Sequence, residues 1–430
     1  MRIGSKLVVS LVVLGLLFTV GAVSAHAVTL EFWTNETTEE RLAVTREIIA
    51  DFEAAYPDIQ VVLVPVHESD LPQKLSATIA ARRLPQVLLL GAEHVMFLGK
   101  EGLLDGQVAE NVISSIGRED FLEGPIRMTS VREGEIVAVP FHGWVQGIWY
   151  RTDWFEEVGL AAPTTWEAIR TAAEYFYNPA ERVYGIGVGT KKDHFATQAF
   201  TQFAFSNNAY MFDVDGNLAF NSPEMVEAIA FYKELAGFGA PGPQDYRDGR
   251  ALYMSDQLAM IVYSSFFMGT LEANAPHLVD KTGFASVMEH TGKATYGQVM
   301  SIGVPVTATP AQKEAAEKFI KFLMEPEQYI KYVHMAPGGM LPVRRSIAAD
   351  ERYYDNPLLQ LFGEQAADLI AGLDVAQAFG FEHGKIFPQV GEIAARFVIG
   401  DAFTQMIDQG WSAEQTAEWA HQRMKSVLGQ

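Results

Sequence analysis

The 430-residue sequence contains no cysteine. That absence excludes disulfides, thiolate metal sites, a cysteine nucleophile and a lipid anchor built on a cysteine. Positive charge is also scarce: 32 Lys and Arg stand against 53 Asp and Glu, a net charge of −21. Such a field repels nucleic acid and anionic lipid, and otherwise speaks to solubility. Beyond residue 27 no apolar run is long enough to span a bilayer. The sequence has no G-x-S-x-G elbow, no H-E-x-x-H and no phosphate-binding P-loop, and its 10 histidines are scattered without metal-ligand spacing.

What is present begins with a leader. Residues 1–27 carry Arg2 and Lys6, then an apolar run of roughly 14 residues, then Ala25-His26-Ala27, the order of a secretory signal peptide with an A-x-A cleavage site. Cleavage there removes two cations and no acid, which takes the net charge from −21 to −23. The expectation is an exported protein, free in a periplasm or in medium. A hydrophobic content of 49% argues for a compact protein of about two or three domains and against disorder.

After the leader, short apolar runs alternate with amphipathic ones, which predicts α/β layers. Strands are expected over 28–33, 59–65 and 87–90, and helices over 38–56 and 71–83. Strands joined through crossover helices predict a mostly parallel sheet. Thr164-Thr165-Trp166-Glu167, Ser222-Pro223 and Thr309-Pro310-Ala311-Gln312 read as helix starts, because their hydroxyls are placed to accept from free backbone N–H groups. Asp213 and Asp215-Gly216 lie between two short apolar stretches, as a hairpin turn requires. Two aspartates there also suggest a calcium loop, but the later ligands and the closing glutamate are missing.

Several segments then occur in a fixed order. They are Leu30-Glu31-Phe32-Trp33, Phe52-Glu53-Ala54-Ala55-Tyr56-Pro57-Asp58-Ile59, Leu84-Pro85-Gln86-Val87, Glu101-Gly102-Leu103-Leu104 and Trp149-Tyr150-Arg151-Thr152-Asp153-Trp154-Phe155. Pro163-Thr164-Thr165-Trp166, Gln257-Leu258-Ala259-Met260, the run 319–329 and Gly338-Gly339-Met340-Leu341-Pro342-Val343-Arg344 complete the set. Together they resemble the extracellular solute-binding proteins of ABC importers, in the carbohydrate-binding, maltose-binding-protein-like group. Gln86 and Arg151 depart from that pattern, which has aspartate and asparagine there.

The resemblance implies an α/β, two-lobed periplasmic-binding-protein fold of the type II kind. Lobe 1 would hold residues 28–141 and 302–334, and lobe 2 residues 146–298 and 340–430. A hinge of three crossovers near 142–146, 298–302 and 334–340 would join them, with Gly143, Gly147, Gly297, Gly303, Gly338 and Gly339 absorbing the rotation. It also implies a monomer that binds a sugar or small glycoside and delivers it to the transmembrane subunits of an ABC permease, without cofactor, metal or catalysis. Two alternatives stay open: the same fold holding an anionic or compatible solute such as glycerol-phosphate, and a secreted glycosidase.

A sugar needs carboxylates and amides for its hydroxyls and aromatic faces for its C–H patches. Strand-to-helix loops supply Thr34, Asn35 and Glu36, then Glu93 and His94. The crossovers supply His142 and Trp144, then Tyr296, Gly297 and Gln298, then Gly339 and Arg344. Asn207 and Asn208 precede the hairpin, and Ser264, Ser265 and Phe266 stand where the group often carries a tryptophan. Each has a plainer reading: helix caps for the first loop, a surface acid for Glu93, core packing for Trp144, left-handed turn positions for the asparagines and an ion pair for Arg344. Arg344 and Lys191-Lys192 are the cations that an anionic ligand would need.

Overall fold

A computed structural model describes residues 28–67 and 70–430, so the leader lies outside the described residues. Among these residues nine strands form one sheet: β1 (Val28–Thr34), β2 (Ile59–Pro65), β3 (Val87–Gly91), β4 (Val139–Arg151), β5 (Tyr184–Gly187), β6 (Leu258–Ser264), β7 (Thr282–Ala285), β8 (Tyr296–Gly303) and β9 (Leu341–Pro342). The order across it is β2-β1-β3-β8-β4-β6-β5, with β7 and β9 also paired to β4.

Local sequence explains the outer elements. The helix Glu39–Ala55 buries Leu42, Thr45, Ile48, Ile49 and Phe52, the stripe that a 3.6-residue period lays against a sheet. Phe52 and Phe32 of β1 both meet Phe319 edge-on, at 5.0 and 5.5 Å. At Thr309 the hydroxyl and Gln312 form the expected reciprocal cap, and Ser222 accepts from the Met225 N–H. In the Thr164–Thr165 pair it is Thr165 that caps, accepting from the Ala168 N–H at 3.1 Å. Asp213 folds its own turn: its Oδ1 accepts from the N–H of Asp215 and of Asn217, at 2.9 and 2.8 Å.

The sheet is mixed, which corrects the parallel expectation. β1 runs parallel to β2 and β3, and β5 parallel to β6, but every pairing of β4 and β8 is antiparallel. The reason is the route of the backbone. β4 carries it out from the β1–β3 side, β8 carries it back, and the two lie side by side. The third crossing follows the helix Pro326–Val333 and residues 334–340 to β9, whose Pro342 and Leu341 pair with His142 and Gly143. The segment that follows is tied to lobe 1: the Leu122 N–H donates to the Val343 carbonyl at 2.9 Å, and Phe121 bridges Arg344.

The crossover glycines serve close packing. A Cβ on Gly143 would lie 2.8 Å from both the Gln298 carbonyl and Leu373, and one on Gly339 would lie 2.3 Å from the Phe266 ring. Of the six glycines expected to absorb rotation, Gly338 alone has a positive φ, +75°.

Candidate ligand-binding site

The floor of the site is built by alternation along β4 and β8. Between His142 and Gln146 the register is regular: Met300 faces His142, Gln298 faces Trp144 and Tyr296 faces Gln146, while Ser264 of β6 faces Gln146 from the other side. His142, Trp144, Gln146, Tyr296, Gln298 and Ser264 therefore share one face of the sheet. The opposite face is covered, since added Cβ atoms on Gly143 and Gly297 would run into Leu373 and Ala376. The polar row lies on the other face, where the His142 ring comes within 6.0 Å of the Tyr332 ring.

Several polar atoms in and beside this row are unmatched. Both ring nitrogens of His142, both amide atoms of Gln146, the Ser265 hydroxyl and Asn35 Oδ1 are buried with no hydrogen-bond partner among the described residues. Buried polar groups are almost always bonded, and each one left unbonded costs about 1–3 kcal/mol. Six such atoms around one junction are capacity that the protein itself does not use. Burial, and secondarily the charge of Arg41, pushes the His142 imidazole down to about 3. At ordinary pH it is neutral, with one donor and one acceptor nitrogen. Trp144 is half-buried, edge-on to Tyr296 at 5.7 Å, and Gln298 Nε2 donates to the Tyr296 hydroxyl at 2.8 Å.

Lobe 1 supplies one wall. In the loop after β1, the Glu36 N–H donates to Thr34 Oγ1 at 3.1 Å, and the Glu36 carboxylate accepts from Arg41 Nη1 at 2.7 Å. The Tyr332 hydroxyl lies beside Thr34 and Glu36, and burial raises its pKa. The Arg41 guanidinium sits 5.9 Å over the ring of Phe266, which leads into the lobe 2 helix Phe267–Asn274 and rests on Gly339. Arg41, His142 and Phe266 thus join lobe 1, hinge and lobe 2. After β3, the half-buried Glu93 carboxylate folds over Gly91 and has no hydrogen-bond or ion-pair partner among the described residues. The half-buried His94 follows it. Across from them is the lobe 2 helix Val390–Ala394, where a Cβ on Gly391 would lie 3.9 Å from the Glu93 carbonyl. Just beyond it Phe397 has φ +51° and meets the His194 ring edge-on at 4.9 Å. A non-glycine residue held there stores strain, a feature that clusters at functional positions.

Four expected residues lie elsewhere, one of them Gly297, which faces Ala376 on the covered side of the sheet. Asn207 and Asn208 end the helix His194–Ser206, which at 13 residues is about 20 Å long, and the His194 end is the one beside Phe397. Asn207 Nδ2 donates to the Glu224 carbonyl and to Glu227, at 2.9 and 3.0 Å, and Asn208 occupies a left-handed turn at φ +54°. Arg344 Nε donates to Asp120 at 2.7 Å, and its Nη1 donates to the Met324 carbonyl. Lys191 pairs with Asp245 and Asp248, and Lys192 with Asp401. Sequence reading missed Gln146, Arg41, Tyr332, His194 and Phe397. Gln146 was detectable, since it stands two residues past Trp144 on the same strand. Arg41 looks like any first-turn helix cation, and Phe397 shows nothing in sequence.

The sequence profile of the family described as bacterial extracellular solute-binding protein matches residues 35–330, and the protein belongs to that family. It is 30% identical over 374 residues to the putative ABC transporter periplasmic-binding protein YcjN of Escherichia coli, covering 86% of each sequence. It is 26% identical to the mannitol-binding protein of Pseudomonas aeruginosa, over 62% of this sequence and 63% of that one. It is 22% identical to the sn-glycerol-3-phosphate-binding periplasmic protein UgpB of Brucella abortus, over 83% and 86%. In structure it is similar to maltose-bound T. maritima MalE3, with a TM-score of 0.74 at 21% identity, over 94% of this protein and all of that one. The fold is therefore the two-lobed one, and the role is that of an ABC transporter's solute-binding component. Among the described residues no helix is long and apolar enough to cross a membrane.

Proposed function

We propose that the protein captures a sugar or polyol between its lobes and hands it, chemically unchanged, to the transmembrane subunits of an ABC permease. The observation that carries this is the set of six buried, unbonded polar atoms at the junction. A hydroxyl donates and accepts at once, so a polyhydroxylated ligand satisfies a neutral imidazole, a primary amide and a serine together. Trp144 and Phe266 supply apolar faces for the C–H groups of a sugar ring or an open polyol. Glu93 supplies a carboxylate that accepts from vicinal hydroxyls. The maltose- and mannitol-binding neighbours point to the same ligand chemistry.

The lobes are read as 28–141 with 302–334 and 146–298 with 340–430, except that 341–346 fasten to lobe 1. The protein is exported on the leader of residues 1–27, acts as a monomer free of a lipid anchor, and needs no cofactor. Calorimetry of the protein from residue 28 onward against D-mannitol, ribitol, D-tagatose and maltose, with mass spectrometry of the recovered ligand, is the test. One ligand bound 1:1 and recovered intact is expected. Cleaved ligand would return the glycosidase reading, and absence of binding across the panel would return the compatible-solute reading.

A further inference from the structure

Solute-binding proteins of this fold divide by ligand charge: one relative is named for mannitol and another for sn-glycerol-3-phosphate. The side groups at the floor here are neutral apart from one pair, and the wall adds the Glu93 carboxylate, unpaired among the described residues, which is no anion reader. Asn35, Gln146 and Ser265 carry no charge, and the buried His142 is an uncharged imidazole. The exception is Arg41, whose guanidinium faces Phe266 from across the cleft and whose charge is felt by His142. Arg41 is compensated. Its Nη1 donates to Glu36 at 2.7 Å, and the side chain of Glu36 is only 7% exposed. Nε and Nη2 make no hydrogen bond among the described residues. The pair thus presents donors without net charge. A guanidinium at that place without its carboxylate would be a ready anion site, because Arg binds phosphate and carboxylate bidentately and is weakly hydrated.

We infer that Glu36 is the charge filter of the cleft: it neutralises Arg41, so that the site accepts uncharged polyhydroxyl ligands and turns anionic ones away. The inference rests on the cleft assigned above. It accounts for the other cations too. Arg344, Lys191 and Lys192 are held by carboxylates outside the floor. Arg250 lies over the rings of Tyr246 and Tyr263, at 5.0 and 5.5 Å, with no ion pair among the described residues, and is the control for a rival anion reader.

The test uses the protein from residue 28 onward as wild type, Glu36→Gln, Glu36→Gln with Arg41→Gln, and Arg250→Gln. Each is titrated calorimetrically at fixed ionic strength with D-mannitol, maltose, sn-glycerol-3-phosphate and inorganic phosphate. Glu36→Gln is expected to bind at least one of the two anions at least tenfold more tightly than wild type. The double variant should lose that gain, and Arg250→Gln should match wild type. A gain below tenfold in Glu36→Gln overturns the filter, as does a gain that survives removal of Arg41. Wild-type preference for sn-glycerol-3-phosphate over both uncharged probes, lost in Arg250→Gln, overturns it as well. Should Glu36→Gln not fold, Arg41→Gln reads the filter from the other side. Its uncompensated carboxylate should raise affinity for D-glucosamine relative to D-glucose at least tenfold, and an unchanged ratio refutes the filter. If wild type binds neither mannitol nor maltose, the sugar reading is what suffers. The filter is decided by how the variants change affinity for charged ligands.

Discussion

Two titratable residues are buried to nearly the same depth, His142 at 2% and Glu382 at 1% exposure. Glu382 belongs to the short strand Phe381–Glu382 of lobe 2, and its carboxyl accepts from the N–H groups of Met211, Phe212 and Gly380 at 3.2, 2.8 and 3.3 Å. It pins that strand to the turn around Asp213. The His142 ring accepts and donates nothing among the described residues. Burial pushes Glu382 up to about 7 and His142 down to about 3, each toward its neutral form. The same desolvation acts on both, and the hydrogen bonds separate them. Glu382 has its capacity filled by the protein's own backbone and belongs to the fold. His142 has its capacity left over, the property on which the proposed site rests.

The largest effects should come from exchanging these fates. Glu382→Leu leaves three buried N–H groups without an acceptor. Denaturant unfolding should show a loss of about 3 kcal/mol, with affinity of the folded fraction unchanged. Gln146→Leu should do the reverse. Ligand affinity measured by calorimetry falls about 100-fold, the loss of two hydrogen bonds, while the unfolding midpoint does not fall. If Gln146→Leu instead destabilises the protein and spares binding, the contrast collapses.

Acid sharpens the comparison. In the folded state Glu382 keeps its proton up to about pH 7, against the ordinary 4.5, so its contribution is full below 4.5 and is lost as pH rises toward 7. Folded His142 stays neutral down to about 3, against the ordinary 6.5, so its contribution is full above 6.5 and is lost as pH falls toward 3. Between 4.5 and 6.5 the two slopes oppose each other. Relative to wild type, Glu382→Gln should lose more stability between pH 7 and 5, and His142→Gln less, in thermal melts at the two values.

Smaller effects follow. Gly339→Val places a side group where the Phe266 ring stands, with the first added atom 2.3 Å away, and overpacking of that kind costs about 1–3 kcal/mol. Unfolding and ligand affinity should both suffer, because Phe266 is pushed from beneath Arg41. Asn208→Gly keeps a left-handed turn that glycine accepts. It should change stability by less than about 0.5 kcal/mol and leave affinity untouched. A measurable affinity change there would return Asn208 to the site.

Much of the framework is legible in sequence. β2 is read at its observed limits, and β1, β3 and the helix Glu39–Ala55 to within a residue, because strand alternation and helical stripes are local patterns. Antiparallel β4 and β8 are not legible, since their direction is set by the order in which the backbone passes between lobes. The site divides in the same way. His142 and Trp144 are readable, and Gln146 on the same face is easily passed over. Asn207 and Asn208 are polar and suitably placed in sequence, but one helix length carries them away from the His194 end. Arg344 is as basic as an anion reader requires, yet Asp120, 224 residues earlier, takes its fork. Such pairings belong to tertiary structure and leave no local trace.

The five consecutive pairs from Tyr296–Gln146 to Met300–His142 have a mechanical consequence. β4 and β8, two of the three segments proposed to connect the lobes, are one hydrogen-bonded ribbon, and two-stranded ribbons are the most strongly twisted sheets. The movement expected of one lobe against the other is a torsion about the ribbon's own long direction. His142, Trp144 and Gln146 are carried on that axis, where displacement is least. On that expectation the floor stays in place and the walls bearing Glu36, Glu93 and Phe266 swing. Amide exchange along 143–145 and 297–299 should accordingly stay slow whether the lobes are apart or together.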